Sequence, residues 1–207
     1  MTAKREPNAR GDGDRLRSQL VDAASDLLLR PQPLAAPSLR AVARACNVSP
    51  AAVYLHFESQ QSLIWAVIEN QLDALRTDLP TLDDPHLPLT DRMRRFAEGY
   101  VGWGIAHPGA YQLIFESADQ LGLEPHEGGP GWDLILSAAA LITEAGALDE
   151  TRAELMATRV WVSLHGLVSL RIHKAGLHWA TTPAEEAGGI VEMHLAALTD
   201  QPAGAAR

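Results

Sequence analysis

The feature that most constrains this chain is the stretch SLRAVARACNVSPAAVYLHF at positions 38–57. Ser38 is a favourable N-cap, and the apolar residues behind it recur at helical spacing, which predicts a short helix. Asn47 then occupies a tight turn, since asparagine tolerates a left-handed backbone better than most residues. Ser49 and Pro50 cap and begin a second helix, because proline needs no backbone N–H at the first helical position. The stretch therefore predicts a helix-turn-helix, a motif that places its second helix in the major groove of DNA.

The whole string resembles the DNA-binding domain of TetR-family transcriptional regulators. That family carries a capped Thr or Ser, a Gly-Val-Ser turn, then Tyr-x-x-Phe and a Ser-Lys pair. The matching positions here are Ser38, Asn47-Val48-Ser49, Tyr54-Leu55-His56-Phe57 and Ser59-Gln60. The family usually has lysine at the position of Gln60, where it meets a phosphate, so the resemblance implies that this contact has lost its charge.

The net charge of −9 is divided unevenly along the chain. Residues 1–57 hold eight Lys/Arg and five Asp/Glu, whereas the remainder holds nine and 21. A basic end that carries the helix-turn-helix and an acidic remainder fit a DNA-facing head on a body that repels phosphate. No apolar run approaches the ~20 residues of a membrane span and no signal sequence follows Met1, so we expect a cytoplasmic protein with no membrane partner.

The positions of proline and glycine, together with the helical spacing of the apolar residues, predict an all-α chain of about nine helices and no strand. We expect four segments: a disordered basic arm over 1–13, a three-helix head over 14–60, a larger effector-binding and dimerisation body over 61–200, and a disordered tail over 201–207. The basic arm either reaches DNA or is simply solvated.

Two local patterns in the body make specific predictions. Thr90 is expected to cap a helix that runs to His107, and three glycines within it, Gly99, Gly102 and Gly104, each cost about 1 kcal/mol relative to alanine. Such a helix is expected to have another element or a ligand close against its backbone. Thr182-Pro183-Ala184-Glu185 reads as a capping box that begins the last helix.

The second helix of the motif offers little for direct base readout. Only Tyr54 and His56 can hydrogen-bond through their side chains, and the helix carries no Arg, Asn or Gln to read purine edges. Alanines at 51 and 52 can touch thymine methyl groups, and Arg40, with Arg44 one turn later, is the best-placed cation. The predicted DNA-binding residues are Ser38, Arg40, Arg44, Ser49, Pro50, Ala51, Ala52, Tyr54, His56 and Gln60.

The element Trp161-x-x-x-His165-Gly166 resembles the Trp-His-Gly element of one C-terminal domain class in the same family. This resemblance implies a mostly apolar effector pocket and dimerisation through the last two helices. The predicted effector-binding residues are Tyr100, Trp103, Tyr111, Phe115, Trp132, Trp161 and His165. The same aromatic residues are equally explained as core, since pockets and cores share a composition, and His165 is either a ligand-facing donor or a core histidine.

Other kinds of site find little support. The single cysteine, Cys46, excludes an internal disulfide and is expected to be a small inert hydrophobe rather than a redox switch. No two histidines are spaced i, i+4 and no metal or cofactor motif occurs, so we expect neither a metal site nor a cofactor. The nucleophile elbow and phosphate-binding loops of enzymes are also missing, which argues against catalysis.

The predicted function is that of a homodimeric transcriptional regulator, most simply a repressor. It would bind a pseudo-palindromic operator in double-stranded DNA and be released by a small, largely apolar effector. The alternative is a ligand-independent or partner-dependent DNA-binding or protein-interaction module.

Overall fold

The computed structural model describes residues 12–29, 36–117, 121–123 and 129–199. The predicted tail and the predicted arm up to residue 11 lie outside these residues. The described part of the chain contains nine α-helices and no strand, as predicted. They are α1 (Asp12–Leu28), α2 (Leu39–Ala45), α3 (Pro50–Tyr54), α4 (Gln60–Asp78), α5 (Leu89–Ala106), α6 (Pro108–Phe115), α7 (Trp132–Glu144), α8 (Glu150–His173) and α9 (Pro183–Thr199). None of these helices combines the length and apolar character needed to cross a membrane.

The helices group into two compact units. The head unit comprises the described residues within Met1–Leu72 and Gln112–Pro125. The body unit comprises those within Asp73–Tyr111 and His126–Arg207. The first part of α4 therefore belongs to the head unit and its last turns to the body unit.

The head unit is built around the side chains that the three N-terminal helices turn inward. Helix α2 packs against both α1 and α3. Because apolar residues on α1 recur every three or four positions, one stripe of that helix faces the others. The core side chains of the three helices are Leu20, Ala24, Leu28, Leu39, Val42, Ala43 and Val53.

In the body unit, α5 packs mainly against α9 and also against α8, while α7 packs against α8. One face of α8 is buried, and its residues recur every three or four positions: Ala153, Ala157, Val160, Leu164, Leu167 and Val168. The start of α9 is the predicted capping box: Glu185 accepts hydrogen bonds from the Thr182 backbone N–H and hydroxyl, both at 2.8 Å, while the Glu185 N–H donates to Thr182 Oγ1 at 3.2 Å.

Thr90 does not cap α5, and that prediction is wrong. The helix begins at Leu89 with Pro88 in the N-cap position, and no side chain caps it. The carbonyl of Pro88 accepts from the N–H groups of Asp91 and Arg92 at 3.0 and 3.1 Å. Because proline fixes the backbone just ahead of the helix, Thr90 falls within the first turn.

The predicted close approach to the glycines of α5 is confirmed at two of the three. A Cβ at Gly99 would lie 2.5 Å from Pro80 Cδ, and one at Gly104 would lie 2.7 Å from Val168 Cγ1 and 2.8 Å from Tyr111 Cδ2. A Cβ at Gly102 would meet nothing within 4 Å. Gly99 and Gly104 are therefore explained by packing, and Gly102 is not.

Candidate nucleic-acid interface and effector site

Two serine caps and one left-handed residue shape the helix-turn-helix. Ser38 Oγ accepts from the Ala41 N–H and Ser49 Oγ accepts from the Ala52 N–H, each at 3.2 Å. Asn47 has a φ of 54°, so the turn adopts the left-handed conformation that the sequence predicts. Each cap satisfies an N–H that has no partner within its helix, which fixes where α2 and α3 begin.

The second helix of the motif is short. Helix α3 ends at Tyr54, and the chain continues to Phe57 as a turn in which the His56 N–H donates to the Val53 carbonyl at 2.9 Å. Val53 and Phe57 are buried, and the guanidinium of Arg17 lies 5.2 Å from the centre of the Phe57 ring. These contacts anchor one side of α3 and leave the other side free.

The free side of α3 carries few polar groups. Tyr54 is 56% exposed and Leu55 is 84% exposed, and Pro50 and Ala51 are exposed beside them. Ala52 on α3 and His56 in the turn after it, two further predicted contact residues, are half-buried. Arg40 and Arg44 are both exposed on α2. This face of the motif is therefore mainly apolar, with two exposed cations on the neighbouring helix α2.

Gln60 has a role that the sequence did not indicate. Its Nε2 donates to the carbonyl oxygens of Ala36 and Pro37, at 3.0 and 3.1 Å. The amide therefore holds the segment before α2 against the start of α4. Ser59 and Ser62 cap the same start reciprocally, since the N–H of each is bonded to the hydroxyl of the other at 3.1 and 3.0 Å.

Cys46 follows α2 and is half-buried, with its thiol donating to the Gln19 carbonyl at 3.4 Å. Burial, with a smaller contribution from the nearby Asp22 carboxylate, raises the pKa of the thiol above its ordinary value of 9.0. A raised pKa keeps the thiol protonated at neutral pH, and a protonated thiol is a poor nucleophile.

Four of the predicted effector residues form one hydrogen-bonded cluster in the body unit. Trp161 Nε1 donates to the Tyr100 hydroxyl at 3.2 Å, and the Tyr100 and Tyr111 hydroxyls are 3.1 Å apart. The Tyr111 hydroxyl lies 2.7 Å from His165 Nδ1. Since an indole N–H can only donate, the Tyr100 hydroxyl accepts at that end of the cluster.

The rings of the cluster are also stacked. The His165 ring lies between those of Tyr111 and Trp161, with centroid distances of 5.6 and 5.5 Å. Trp161 and His165 are one helical turn apart on α8, which brings their side chains to one face. Tyr100 and Tyr111 meet edge to face, with their centroids 5.9 Å apart.

A small cavity adjoins the cluster. Its volume is about 30 Å³, and its wall is formed by Tyr100, Trp161 and apolar side chains of α5, α7 and α8. A volume of roughly 300–1,000 Å³ is typical of a small-molecule site, so the cavity is much smaller than such a site. An open groove of about 430 Å³ lies beside it, lined by Arg76, residues 79–83, Arg92 and one side of α7.

The other predicted effector residues lie elsewhere. Trp103 is buried against the His107 ring, with their centroids 4.9 Å apart. Trp132 is half-buried at the start of α7, and Phe115 is half-buried and belongs to the head unit. The apolar side chains that form the wall of the cavity were not predicted as site residues, although they belong to the apolar stripes of α5, α7 and α8. In the described ranges, no group of three His, Cys, Asp or Glu side chains could hold a metal ion.

Two family models match the chain. Residues 20–67 match the bacterial regulatory proteins of the tetR family, and residues 93–198 match the tetracyclin repressor-like C-terminal domain. The second match covers just over half of the chain. No curated protein matches the chain.

Solved structures of similar fold are regulators. The flavonoid-responsive regulator FrrA is 26% identical, with 92% of this chain and 100% of that chain covered and a TM-score of 0.67. A TetR-like transcriptional regulator from Rhodococcus sp. RHA1 is 20% identical, with 95% and 100% covered and a TM-score of 0.60. A tetR-family regulator from Streptomyces coelicolor is 21% identical, with 89% and 80% covered and a TM-score of 0.65.

Proposed function

The chain belongs to the TetR family of DNA-binding transcription regulators, and we propose that it is a repressor that binds its operator as a homodimer and is released by a small, largely apolar effector. One observation carries the proposal: the chain holds two distinct candidate sites in two separate units. The head unit has an exposed helix-turn-helix, and the body unit has an aromatic cluster beside a cavity. A regulator that senses a ligand needs a DNA-binding site, a ligand-binding site and a conformational equilibrium that is shifted by binding at either one.

In the proposed complex, α3 enters the major groove and α2 braces it against the backbone. Arg40 and Arg44 would contact phosphates, and the apolar surface of Ala51 and Leu55 would meet thymine methyl groups. Tyr54, which the family resemblance places at a phosphate, is exposed enough to reach one. Gln60 would support this interface by holding the start of α2, rather than by a charged contact. The remaining proposed contact residues are Ser38, Ser49, Pro50, Ala52 and His56.

The homodimer is supported by apolar side chains on the outer surface of α8 and α9. Val162 is 56% exposed and Met193 is 63% exposed, and Leu155 lies two turns before Val162 on the same face. Gly166 and Gly189 leave open space on the same two helices, which pack against each other. Exposed apolar side chains on two helices that pack together suit a two-fold interface with a second copy, and two-fold symmetry implies a pseudo-palindromic operator.

The effector is proposed to bind beside the aromatic cluster. Tyr100 and Trp161 line the cavity, with Tyr111 and His165 hydrogen-bonded behind them, so the Trp-His-Gly element would act at the ligand site. The likeness to FrrA, a flavonoid-responsive regulator, supports an aromatic effector. An effector that binds more tightly to a conformer with unsuitable spacing of the two heads would release the operator.

A second candidate function is a ligand-independent or partner-dependent module. The observation in its favour is the cavity volume of about 30 Å³, which is too small for a metabolite unless side chains move. A thermal-shift screen separates the two candidates, because a ligand that binds only the folded state raises its melting temperature. A broad screen without a single stabilising compound favours the module.

The experiment that tests the repressor proposal is DNA footprinting on the gene's own upstream region across a salt series. We expect a protected site with approximate two-fold symmetry and an affinity that falls steeply between about 50 and 200 mM salt. Protection that is absent at low salt, on that region and after random-site selection, would contradict the proposal and favour the partner-dependent module.

A further inference from the structure

Two side chains separate the cavity of the body unit from the open groove. Phe96 of α5 and Leu134 of α7 line both spaces, the cavity on one side and the groove on the other. Both side chains are half-buried, whereas their neighbours Ala97 and Ile135 are buried. Phe96 and Leu134 thus have open space on one side, which close-packed core side chains lack.

The two arginines that line the groove are bonded to partners within the protein. Arg76 donates Nε and Nη2 to Asp133 at 2.9 and 3.0 Å and Nη1 to Asp73 at 2.8 Å. The Arg92 Nε donates to the Leu82 carbonyl. The carboxylates of Asp83 and Glu144 line the same groove as these two arginines. The groove therefore carries no excess of either sign that would attract an ion.

We propose that Phe96 and Leu134 form a gate through which a neutral aromatic molecule of one or two rings passes from the groove into the cavity. This inference rests on the proposed function, since it takes the body unit to bind an effector. Opening the gate joins the cavity of about 30 Å³ to a groove of about 430 Å³. The joined space has the size of an ordinary small-molecule site.

The chemistry of the wall sets the class of ligand. The cavity is lined by apolar side chains together with the Tyr100 and Trp161 rings, so an ionised group inside it would lose its hydration without a compensating charge. A planar aromatic ring loses little by leaving water and gains contact with the aromatic wall. The ring enters the cavity and a polar substituent such as a hydroxyl stays in the hydrated groove.

The test uses 2-naphthol, a neutral two-ring phenol, as a fluorescent probe of the full-length protein. Stopped-flow fluorescence measures its association and dissociation rate constants, and calorimetry measures its dissociation constant. Phe96→Ala removes one half of the gate and is expected to raise both rate constants about tenfold with little change in their ratio. Leu136→Ala is the matched control, because Leu136 lies on the exposed side of the same helix as Leu134.

A second variant tests whether the cavity itself binds the probe, independently of the gate. Ala138 lines the cavity from α7, so Ala138→Leu fills the space and is expected to weaken 2-naphthol binding at least about tenfold. Ala157→Leu does the same from α8 and serves if Ala138→Leu lowers the melting temperature.

The outcomes distinguish the gate from the function. Weaker binding in the filled variants with wild-type rate constants in Phe96→Ala overturns the gate and leaves the effector site in place. Unchanged binding in both filled variants, or no binding of 2-naphthol by the wild type, overturns the site and ligand class inferred here. The repressor proposal is tested separately, since the footprint on operator DNA depends on none of these measurements.

Discussion

The hydroxyl of Tyr111 lies 2.7 Å from Nδ1 of His165, although 54 positions separate the two residues. The bond joins α6 to α8 at a point where Tyr111 is fully buried. It also connects two pairs of aromatic residues, because Tyr111 contacts Tyr100 and His165 stacks on Trp161. The cluster is therefore a structural element of the body unit as well as a candidate wall for a ligand.

Tyr111→Phe tests how much this cluster stabilises the fold. The substitution keeps the ring and removes the hydroxyl, so it leaves the buried groups that faced it without that partner. We expect the free energy of unfolding to fall by about 1–3 kcal/mol. Urea denaturation measures the change, and Tyr54→Phe is the control, since Tyr54 is exposed. Equal stability of the two variants would show that the hydroxyl contributes nothing.

The glycines of α5 offer a matched pair. Gly104→Ala would place a methyl group 2.7 Å from Val168 Cγ1, and we expect a loss of about 1–3 kcal/mol from overpacking. Gly102→Ala adds a methyl group to open space in the same helix, and we expect a gain of about 1 kcal/mol from helix propensity. Thermal melting of both variants gives the signs, and two shifts in the same direction would contradict the packing argument.

Arg40→Ala is expected to weaken operator binding by about 1–3 kcal/mol, because an exposed cation of the supporting helix would be lost from the DNA interface. Fluorescence anisotropy with operator DNA measures the change. Arg95→Ala removes the same charge from an exposed position on α5 in the body unit and should leave the affinity unchanged. An Arg40→Ala variant that binds like the wild type would refute this interface.

Gln60→Lys restores the charge that the family usually carries at this position. We expect tighter DNA binding at low salt. A plot of the logarithm of the binding constant against the logarithm of the salt concentration should be steeper by about 0.9, which corresponds to one added phosphate contact. Gln71→Lys adds the same charge farther along α4 and is the control. Identical slopes for the two lysine variants would show that position 60 does not face the backbone of DNA.

The capping box of α9 makes stability depend on pH. Hydrogen bonds from the backbone N–H and the hydroxyl of Thr182 hold the pKa of Glu185 below its ordinary value of 4.5. A lowered pKa means that the stabilisation is present above pH 4.5 and disappears as the pH falls through the folded-state pKa. Urea midpoints of wild type and Glu185→Gln should therefore differ at pH 7 and converge in acid. A constant difference would contradict the assignment.

Local signals were enough to predict much of the head unit. The roles of three residues could be predicted because they depend only on backbone a few positions away. Two of them, Ser38 and Ser49, cap helices, and Asn47 forms the turn. Thr90 shows the limit of this reasoning. It is a suitable cap, but Pro88 stands two residues earlier and sets the start of α5 instead.

The parts of the site that depend on distant residues could not be predicted. Gln60 bonds to carbonyls 23 and 24 positions earlier, and nothing in the sequence near it indicates that partner. The cavity exists because three helices do not pack tightly against one another at one point. A stripe of apolar residues looks the same in the sequence whether the space beside it is filled or empty. The sequence therefore grouped Trp103 and Trp132 with the cluster, whereas the structure separates them from it.

The lone thiol at the end of α2 makes the chain suited to spectroscopy without engineering. Because the sequence contains one cysteine, a nitroxide attached to Cys46 would label each head of a homodimer once. The raised pKa calls for labelling at mildly alkaline pH, where the thiolate fraction is larger. Dipolar coupling between the two labels would then report the distance from head to head in free, DNA-bound and ligand-bound protein.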